Sequence, residues 1–282
     1  MPEFTNISAY RFTPLTNLSA LQKQLLRACV AGCLKGTILL SPEGINVFVA
    51  GEQAAIAALL SELRGINGLE TLLPKVSLSA EQPFDRMFVK IKKEIIAFGV
   101  DGIDPANRPT RKVSPQILKQ WLDERRPITL LDTRNEYEVR MGTFRGAVSA
   151  GIRHFREFPE AVRELPETLK HQPVVMFCTG GIRCEKAGPL IERLGFKDVH
   201  QLDGGILKYF EECGASHYEG ECFVFDQRVG LDAALQPTGS VLCGNCQTPL
   251  TREEQKHSHY VAGSSCQFCR GTHERVGRTA LG

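Results

Sequence analysis

One stretch of this chain, from Val174 to Ala187, restricts its fold and chemistry more than any other. Four apolar residues lead into Cys178, a glycine pair follows, and Arg183 comes just before a helix-forming run. This order predicts a buried strand, a tight loop and a helix. The thiol would then lie among backbone N–H groups, at the positive end of a helix and beside a guanidinium. Each of these surroundings stabilises a thiolate over a thiol, so the sequence predicts a reactive cysteine.

The length of this loop narrows the chemistry. Cys178 and Arg183 enclose four residues, a shorter loop than the one with which cysteine-dependent phosphatases bind phosphate. A smaller group, such as the outer sulfur of a persulfide, suits a loop of this size. An isolated cysteine is often a buried structural thiol, but Gly180, Gly181 and Arg183 favour a functional one. Cys184 is a second candidate, either as the essential thiol or as a resolving partner for Cys178.

Other segments resemble motifs of the rhodanese-type sulfurtransferase domain. They are residues 128–134, which match a strand ending in Asp-x-Arg, residues 135–147, which match an acidic helix start followed by a glycine turn, and residues 199–205, which match a closing strand with a Gly-Gly turn. Thr143 stands where histidine is common. The resemblance covers about residues 113–213 and implies an α/β domain with a parallel sheet. There Asp132 and Arg134 would brace the cysteine loop, although a purely structural role fits them equally.

Composition sets the broad class of the protein. The 282 residues are enough for two or three domains, and 42% hydrophobic with 23% charged residues is typical of a globular chain. No apolar run is long enough to span a membrane, and the N-terminus lacks the features of a signal peptide. We therefore expect a cytoplasmic protein, whose ten cysteines are catalytic, metal-bound or buried rather than paired in disulfides. A net charge of +2 does not by itself indicate a nucleic-acid partner.

The elements predicted along the chain divide it into four parts. Residues 1–100 read as a ferredoxin-like α+β domain, 101–112 as a linker, 113–215 as the rhodanese-like domain and 216–282 as a cysteine-rich tail. In the first part the residue patterns predict strands at 7–12, 35–40, 45–50, 88–92 and 94–98, and helices at 19–33 and 54–63. Ser114 followed by proline predicts the start of a helix at the beginning of the third part.

The tail contains two Cys-x2-Cys pairs with 19 residues between them. Four thiolates in such pairs are typical of a zinc ribbon, and a metal would stabilise a segment that is too poor in large apolar residues to fold alone. We therefore predict a structural zinc site made by Cys243, Cys246, Cys266 and Cys269. The alternative is two reduced pairs that bind nothing or act in redox chemistry. Other possible ligands are Cys213, His217, Cys222, His257 and His259.

The tail is also locally basic, which allows an RNA partner. Its cationic and histidine residues are Arg252, Lys256, His257, His259, Arg270, His273, Arg275 and Arg278, against Glu253, Glu254 and Glu274. Exposed basic residues beside a zinc knuckle can contact phosphates, and Tyr260 and Phe268 can stack on unpaired bases. A solvated charged surface explains the same residues without any partner.

The order of motifs along the whole chain resembles that of the bacterial tRNA uridine hydroxylase family. The motifs are residues 41–46 (SPEGIN), 178–186 (CTGGIRCEK) and 221–229 (ECFVFDQRV), followed by the cysteine-rich tail. The resemblance implies oxygen-dependent hydroxylation of uridine 34 of tRNA to 5-hydroxyuridine. It implies tRNA as substrate, molecular oxygen as co-substrate, an unidentified electron donor and Cys178 as the essential thiol.

The residues themselves do not explain how oxygen is activated. The chain has no flavin or nicotinamide motif and no evident two-histidine, one-carboxylate set for iron. Cys178 can add to C6 of the uracil ring, or a persulfide on Cys178 can take part directly, and Arg183 would favour the thiolate in both cases. Two other functions stay open: a sulfurtransferase that moves persulfide sulfur, and a non-enzymatic RNA-binding or redox-sensing module.

Overall fold

The computed structural model describes residues 3–270. The chain divides into two compact units, Met1–Pro109 and Thr110–Gly282. None of the helices in the described residues combines the length and apolar character that crossing a membrane requires.

The first unit is a five-stranded sheet with two helices packed on one face. Its elements are β1 (Phe4–Phe12), α1 (Leu18–Ala31), β2 (Lys35–Ser41), β3 (Gly44–Gly51), α2 (Gln53–Arg64), β4 (Lys75–Ser79) and β5 (Met87–Ile91). The strand order is β4-β1-β3-β2-β5, and only the β2–β5 pair is parallel. Alternate strand residues, such as Ile7, Ile38 and Val47, form the core with Leu25 and Leu59 of the helices. This arrangement confirms the predicted ferredoxin-like domain and both of its helices.

The prediction of a strand at residues 94–98 is wrong. This segment is irregular and closes one end of the sheet, where the side-chain amide of Asn46 donates a hydrogen bond to the Ile95 carbonyl at 3.1 Å. Ile95 and Phe98 are buried by tertiary packing and not by strand pairing. Strand β4 is absent from the predicted elements, because a five-residue edge strand with two exposed apolar residues gives little signal.

The second unit contains a parallel five-stranded sheet. Its elements are β6 (Arg111–Val113), α3 (Pro115–Asp123), β7 (Thr129–Asp132), α4 (Glu136–Met141), β8 (Gly142–Phe144), β9 (Val148–Ser149), α5 (Phe158–Ala161), β10 (Pro173–Phe177), α6 (Ile182–Arg193), β11 (Asp198–Leu202), α7 (Gly205–Cys213), β12 (Tyr218–Gly220), β13 (Cys222–Phe223), β14 (Gly230–Leu231), β15 (Val241–Leu242) and β16 (Pro249–Leu250). The strand order is β6-β11-β10-β7-β9. Every pair in this sheet is parallel, as expected for a rhodanese-like domain.

The central strand of this sheet explains where the cysteine loop lies. Strand β10 is buried along its apolar residues, as is usual for a parallel sheet covered on both faces. Its carboxyl end delivers Cys178 to the edge at which β7 ends with Asp132, since Phe177 is paired with Asp132. Loops at this edge are the usual place for binding and catalysis in such sheets. The side-chain hydroxyl of Ser114 caps α3 by accepting from the Ile117 amide at 3.3 Å, as predicted.

The segments on either side of the sheet extend its structure. Arg111–Val113, at the end of the predicted linker, pairs with β11 as the edge strand. The start of the predicted tail returns to the same unit: β12 pairs with β8, so that Tyr218 lies opposite Phe144. Phe144 packs edge-to-face against Phe177, Tyr209 and Tyr218, with ring centroids 4.9, 4.8 and 5.2 Å away. This aromatic cluster fixes the beginning of the tail beneath the sheet.

Candidate active site

Cys178 lies directly after β10 and is fully buried. The loop that follows turns back so that the Gly181 amide donates a hydrogen bond to the Cys178 Sγ at 3.1 Å. Gly181 has a φ of +99°, which favours glycine, and it stands at the N-terminal end of α6. The structure therefore brings together the strand, loop and helix that the sequence predicted around this sulfur.

The surroundings of Cys178 favour its ionised form. Burial alone would raise the pKa of this thiol, but a hydrogen bond from Cys184, the charge of Arg183 and the backbone N–H groups of Arg183 and Gly181 lower its pKa to about 5. A free cysteine has a pKa of about 8.5. Burial and the neighbouring thiolate raise the pKa of Cys184, so Cys184 is the neutral donor of the pair. Its sulfur also lies 3.7 Å from the Thr133 hydroxyl.

Arg183 is anchored by a buried carboxylate. Its two terminal nitrogens donate to Glu138 at 2.6 and 2.7 Å, and the Glu138 side chain is fully buried. Such a bidentate pair fixes the guanidinium plane. Arg183 therefore influences Cys178 through its charge and its backbone N–H, while both of its terminal nitrogens donate to Glu138. The motif around Glu138 was recognised in the sequence, but nothing local to it indicated this partner 45 residues later.

Asp132 and Arg134 form a second buried ion pair behind the loop. The Arg134 Nη2 donates to Asp132 at 2.6 Å and to the Gly142 carbonyl at 2.7 Å. Thr143, at the position where histidine is common, donates its hydroxyl proton to Asp132 at 2.8 Å. Thr133, between the two charged residues, binds β10 directly. Its amide and its hydroxyl both donate to the Phe177 carbonyl. The pair thus holds the turn between β7 and β8, next to the cysteine loop.

The glycine turn before α7 packs against the outer side of the cysteine loop. The Cys178 carbonyl accepts a hydrogen bond from the Ile206 amide at 3.0 Å, and the Thr179 carbonyl accepts one from Leu207 at 3.1 Å. Gly205 has a φ of +68°, and a Cβ there would lie 2.4 Å from the Cys178 carbonyl oxygen. A side chain at this position would therefore push the loop and α7 apart. The motif at residues 199–205 predicted the Gly-Gly turn, but not its contact with the cysteine loop.

Part of the tail covers the loop. The Thr179 hydroxyl donates to the Phe223 carbonyl at 3.4 Å, and the Arg183 guanidinium lies 5.7 Å from the centre of the Phe225 ring. Both phenylalanines belong to the predicted motif 221–229. Cys178 has no exposed surface. A substrate such as a nucleotide therefore reaches its sulfur only when the covering residues move.

The tail cysteines form one four-sulfur cluster. The sulfur atoms of Cys243, Cys246, Cys266 and Cys269 all lie within 4.8 Å of one another. Three of the sulfur–sulfur distances are 3.6, 3.8 and 3.9 Å. Four thiolates around a tetrahedral ion with metal–sulfur bonds of about 2.3 Å would be about 3.8 Å apart. The cluster therefore fits a tetrahedral metal ion, and none of the five alternative ligands belongs to it.

The short helix α4 contacts both the cysteine loop and the surroundings of the four-cysteine cluster. Glu138 binds Arg183, and two residues later Arg140 donates to the Pro249 carbonyl at 2.6 Å and pairs with Glu254. The Arg140 guanidinium also lies 4.4 Å from the centre of the Phe268 ring. The segment that carries the four cysteines is therefore packed onto the helix that anchors Arg183.

The residues predicted to bind RNA in the tail have mixed surroundings. Lys256 pairs with Glu253 at 2.6 Å, and Phe268 is 47% exposed but contacts Arg140. Tyr260 packs against the cysteine cluster. The predicted positions His273, Arg275 and Arg278 lie outside the described residues. RNA binding by this segment stays a prediction.

Comparison with known proteins agrees with these features. Residues 4–95 match the family model described as a UPF0176 acylphosphatase like domain, and residues 114–212 match the rhodanese-like domain. A tRNA uridine(34) hydroxylase from Cupriavidus necator is 48% identical over 97% of this chain and 99% of its own length. The chain belongs to the tRNA uridine(34) hydroxylase family. Family members from Ralstonia nicotianae and Thiobacillus denitrificans are 47% and 49% identical over 95% and 83% of this chain, in each case over 96% of their own length.

Replacement of Gly205 by alanine should destabilise the second unit more than replacement of Gly151. Both glycines have nearly the same φ, +68° and +67°, but a Cβ on Gly151 meets nothing within 4 Å. Gly151→Ala should therefore lower the free energy of unfolding only by the strain of a left-handed backbone, about 1–2 kcal/mol. Gly205→Ala should lower it by clearly more. Urea unfolding followed by the fluorescence of the single tryptophan, Trp121, measures both. Equal losses would contradict the close contact between Gly205 and the loop.

The ionisation of Cys178 can be measured from thiolate absorbance. The difference between the wild-type protein and Cys178→Ser should appear as pH rises through about 5 and stay constant at neutral pH. The sign follows from the lowered pKa, because the thiolate exists above the midpoint and is lost below it. Cys33→Ser is the matched control, since Cys33 is exposed. A midpoint for Cys178 at or above the value of a free cysteine would refute the proposed stabilisation.

Proposed function

We propose that this protein hydroxylates uridine 34 of tRNA at C5 of the base. The observation that carries the proposal is similarity over nearly the whole chain to proteins named tRNA uridine(34) hydroxylase. The buried cysteine loop supports it, because it supplies a nucleophile of the kind that adds to a pyrimidine ring. We place the reaction in the cytoplasm, where tRNA is found.

The net reaction requires more than the chain itself provides. Uridine and molecular oxygen give 5-hydroxyuridine and water, with two electrons and two protons taken from a separate donor. One oxygen atom is bound to C5, and the other leaves as water. The chain's own contribution is to bind the base, exclude water and change the reactivity of C5.

Cys178 is the proposed catalytic residue. Its thiolate would attack C6, so that a C6–S bond forms and the electron pair of the C5–C6 double bond moves towards C5 and the adjacent carbonyl. C5 is then electron-rich and forms a bond to one atom of oxygen, while the O–O bond breaks and the second atom leaves as water, reduced by the two electrons of the separate donor. Loss of the C5 proton and departure of the Cys178 thiolate restore the double bond, so the cysteine is unchanged after each cycle. Arg183 and the Gly181 amide are proposed to stabilise the thiolate before attack and after departure.

Sulfur transfer is the alternative function, and the names of the relatives do not favour it. A six-residue loop with N–H groups directed at one sulfur atom can hold a persulfide on Cys178. The two functions differ in what reaches the RNA, since one adds oxygen and the other adds sulfur. The same assay therefore separates them.

Zinc is the proposed ion of the four-cysteine cluster, in a structural role. A closed set of four thiolates leaves no open coordination position for a substrate. The metal would replace a hydrophobic core in the segment between β15 and the end of the described residues. No step of the reaction is assigned to it.

Activity can be tested on unmodified tRNA incubated with the protein, oxygen and a reductant. Mass spectrometry of the digested nucleosides should show uridine 34 heavier by one oxygen atom, and labelled oxygen gas should supply that atom. Cys178→Ala should reduce product formation at least a thousandfold, whereas Cys33→Ala should retain wild-type activity, because Cys33 is exposed in the other unit. Addition of sulfur to the RNA would favour the transferase. Full activity of Cys178→Ala would exclude the proposed nucleophile.

The metal assignment is tested by elemental analysis and thermal unfolding. We expect about one zinc ion per chain, lost in Cys246→Ser and retained in Cys33→Ser. Removal of the ion should lower the melting temperature and expose the tail to proteases, because metal binding supplies folding free energy to such segments. A metal-free protein that melts at the same temperature as the purified one would contradict a structural zinc site.

A further inference from the structure

The first unit presents one face of its sheet without covering helices. The residues on this face alternate with those that pack under α1 and α2. The strand pairing places Phe88, Thr37, Phe48, Ser8 and Lys75 in one row across the sheet. The next row contains Lys90, Leu39, Asn46 and Tyr10. We call these two rows the open face.

The open face combines aromatic rings with positive charge. Phe88 is 42% exposed, and Phe48 and Tyr10 are partly exposed. The Lys90 ammonium lies 4.6 Å from the centre of the Phe88 ring, and Lys75 lies 5.5 Å from that of Tyr10. None of the strand residues on this side of β1–β5 is aspartate or glutamate.

Other segments of the first unit cover this face at both ends, and at one of them they bury Asn46 of the second row. The Gln82 side chain donates to the Ala50 carbonyl at one end, and Asn46 donates to the Ile95 carbonyl at the other. Acidic residues near the second end are occupied by backbone groups: Glu43 accepts from the Ile95 amide, and Glu94 accepts from Phe98. Both carboxylates therefore hold the segment after β5 in place at that end.

From this arrangement we propose that the open face binds the single-stranded anticodon loop of the tRNA substrate. Unpaired bases stack on exposed aromatic rings, and lysines beside those rings bind the phosphates between the bases. Phe48 and Phe88 are two strand spacings apart, about 10 Å, which separates two bases and leaves room for the phosphate that joins them. The positive charge of the surface complements RNA. The proposal rests on the proposed function, which makes tRNA the substrate.

Binding is tested with a fluorescent RNA hairpin that carries a tRNA anticodon loop with uridine at position 34. The protein is the full chain with Cys178→Ala, so that binding is measured without turnover. Phe88→Ala should weaken binding about tenfold, the loss expected for one stacked base. Phe88→Tyr should restore it. Leu73→Ala is the matched control, because Leu73 is 80% exposed and lies outside the open face.

The lysines should change the salt dependence instead. Lys75→Ala with Lys90→Ala should reduce the slope of log affinity against log salt by about 0.7 for each lost phosphate contact. Lys23→Ala with Arg27→Ala, on the exposed surface of α1, should leave both affinity and slope unchanged. A duplex without an unpaired loop should bind less tightly than the hairpin, and its affinity should be the same with and without Phe88→Ala. Melting curves verify that each variant is folded.

The outcomes separate this proposal from the proposed function. If the folded Phe88 and lysine variants bind the hairpin as tightly as the parent protein, the open face is not the RNA site. A protein partner would then be the remaining occupant to test. Absence of hairpin binding by the parent protein overturns the open face as the RNA site as well. Normal loop-specific binding without any oxygen transfer to uridine by the wild-type enzyme supports the open face and contradicts the hydroxylase function.

Discussion

The buried ion pair between Glu138 and Arg183 connects the parts of the candidate site. Both charges are removed from water, which is unfavourable unless each is fully paired, and the bidentate contact meets that condition. Glu138 also accepts from the Asn135 amide at the start of α4. One carboxylate therefore fixes the beginning of α4 to the beginning of α6. Loss of either partner would leave an unpaired buried charge, typically at a cost of about 3–5 kcal/mol.

This anchoring determines how the arginine acts on the cysteine. With its terminal nitrogens on Glu138, Arg183 gives Cys178 a fixed positive charge and a backbone N–H. The sulfur obtains its remaining donors from Gly181 and Cys184. All of these groups are in place before a substrate arrives, so no reorganisation is needed to ionise the thiol.

A pKa near 5 also bears on the type of reaction. At neutral pH a thiol with a pKa of about 7 is already half ionised, and a further decrease of the pKa gains at most a factor of two in thiolate while making the sulfur a weaker nucleophile. A low pKa does, however, make the thiolate a better leaving group. A cysteine that must add to C6 and then depart from it benefits from the second effect. The lowered pKa of Cys178 is therefore compatible with the proposed addition to C6 and departure from it.

The success of sequence interpretation depended on how far apart the interacting residues are. The cysteine loop and the Cys-x2-Cys pairs could be predicted because their members are close in sequence and their spacing carries the chemistry. Glu138 and Gly205 act on the loop only through the tertiary fold, so their motifs were recognisable but their contacts were not. The strand predicted at 94–98 failed for a related reason, because burial under neighbouring segments gives the same apolar pattern as a strand.

The position of α4 joins the four-cysteine cluster to the loop that carries Cys178. Glu138 and Arg140 are two residues apart, so their side chains leave the helix in nearly opposite directions. A helix of six residues is not stable by itself in water and depends on packing at both sides. One side is held by Arg183, and the other by Pro249, Glu254 and Phe268 of the tail. Loss of order around the four cysteines would therefore release one side of α4 and loosen the carboxylate that holds Arg183 beside Cys178.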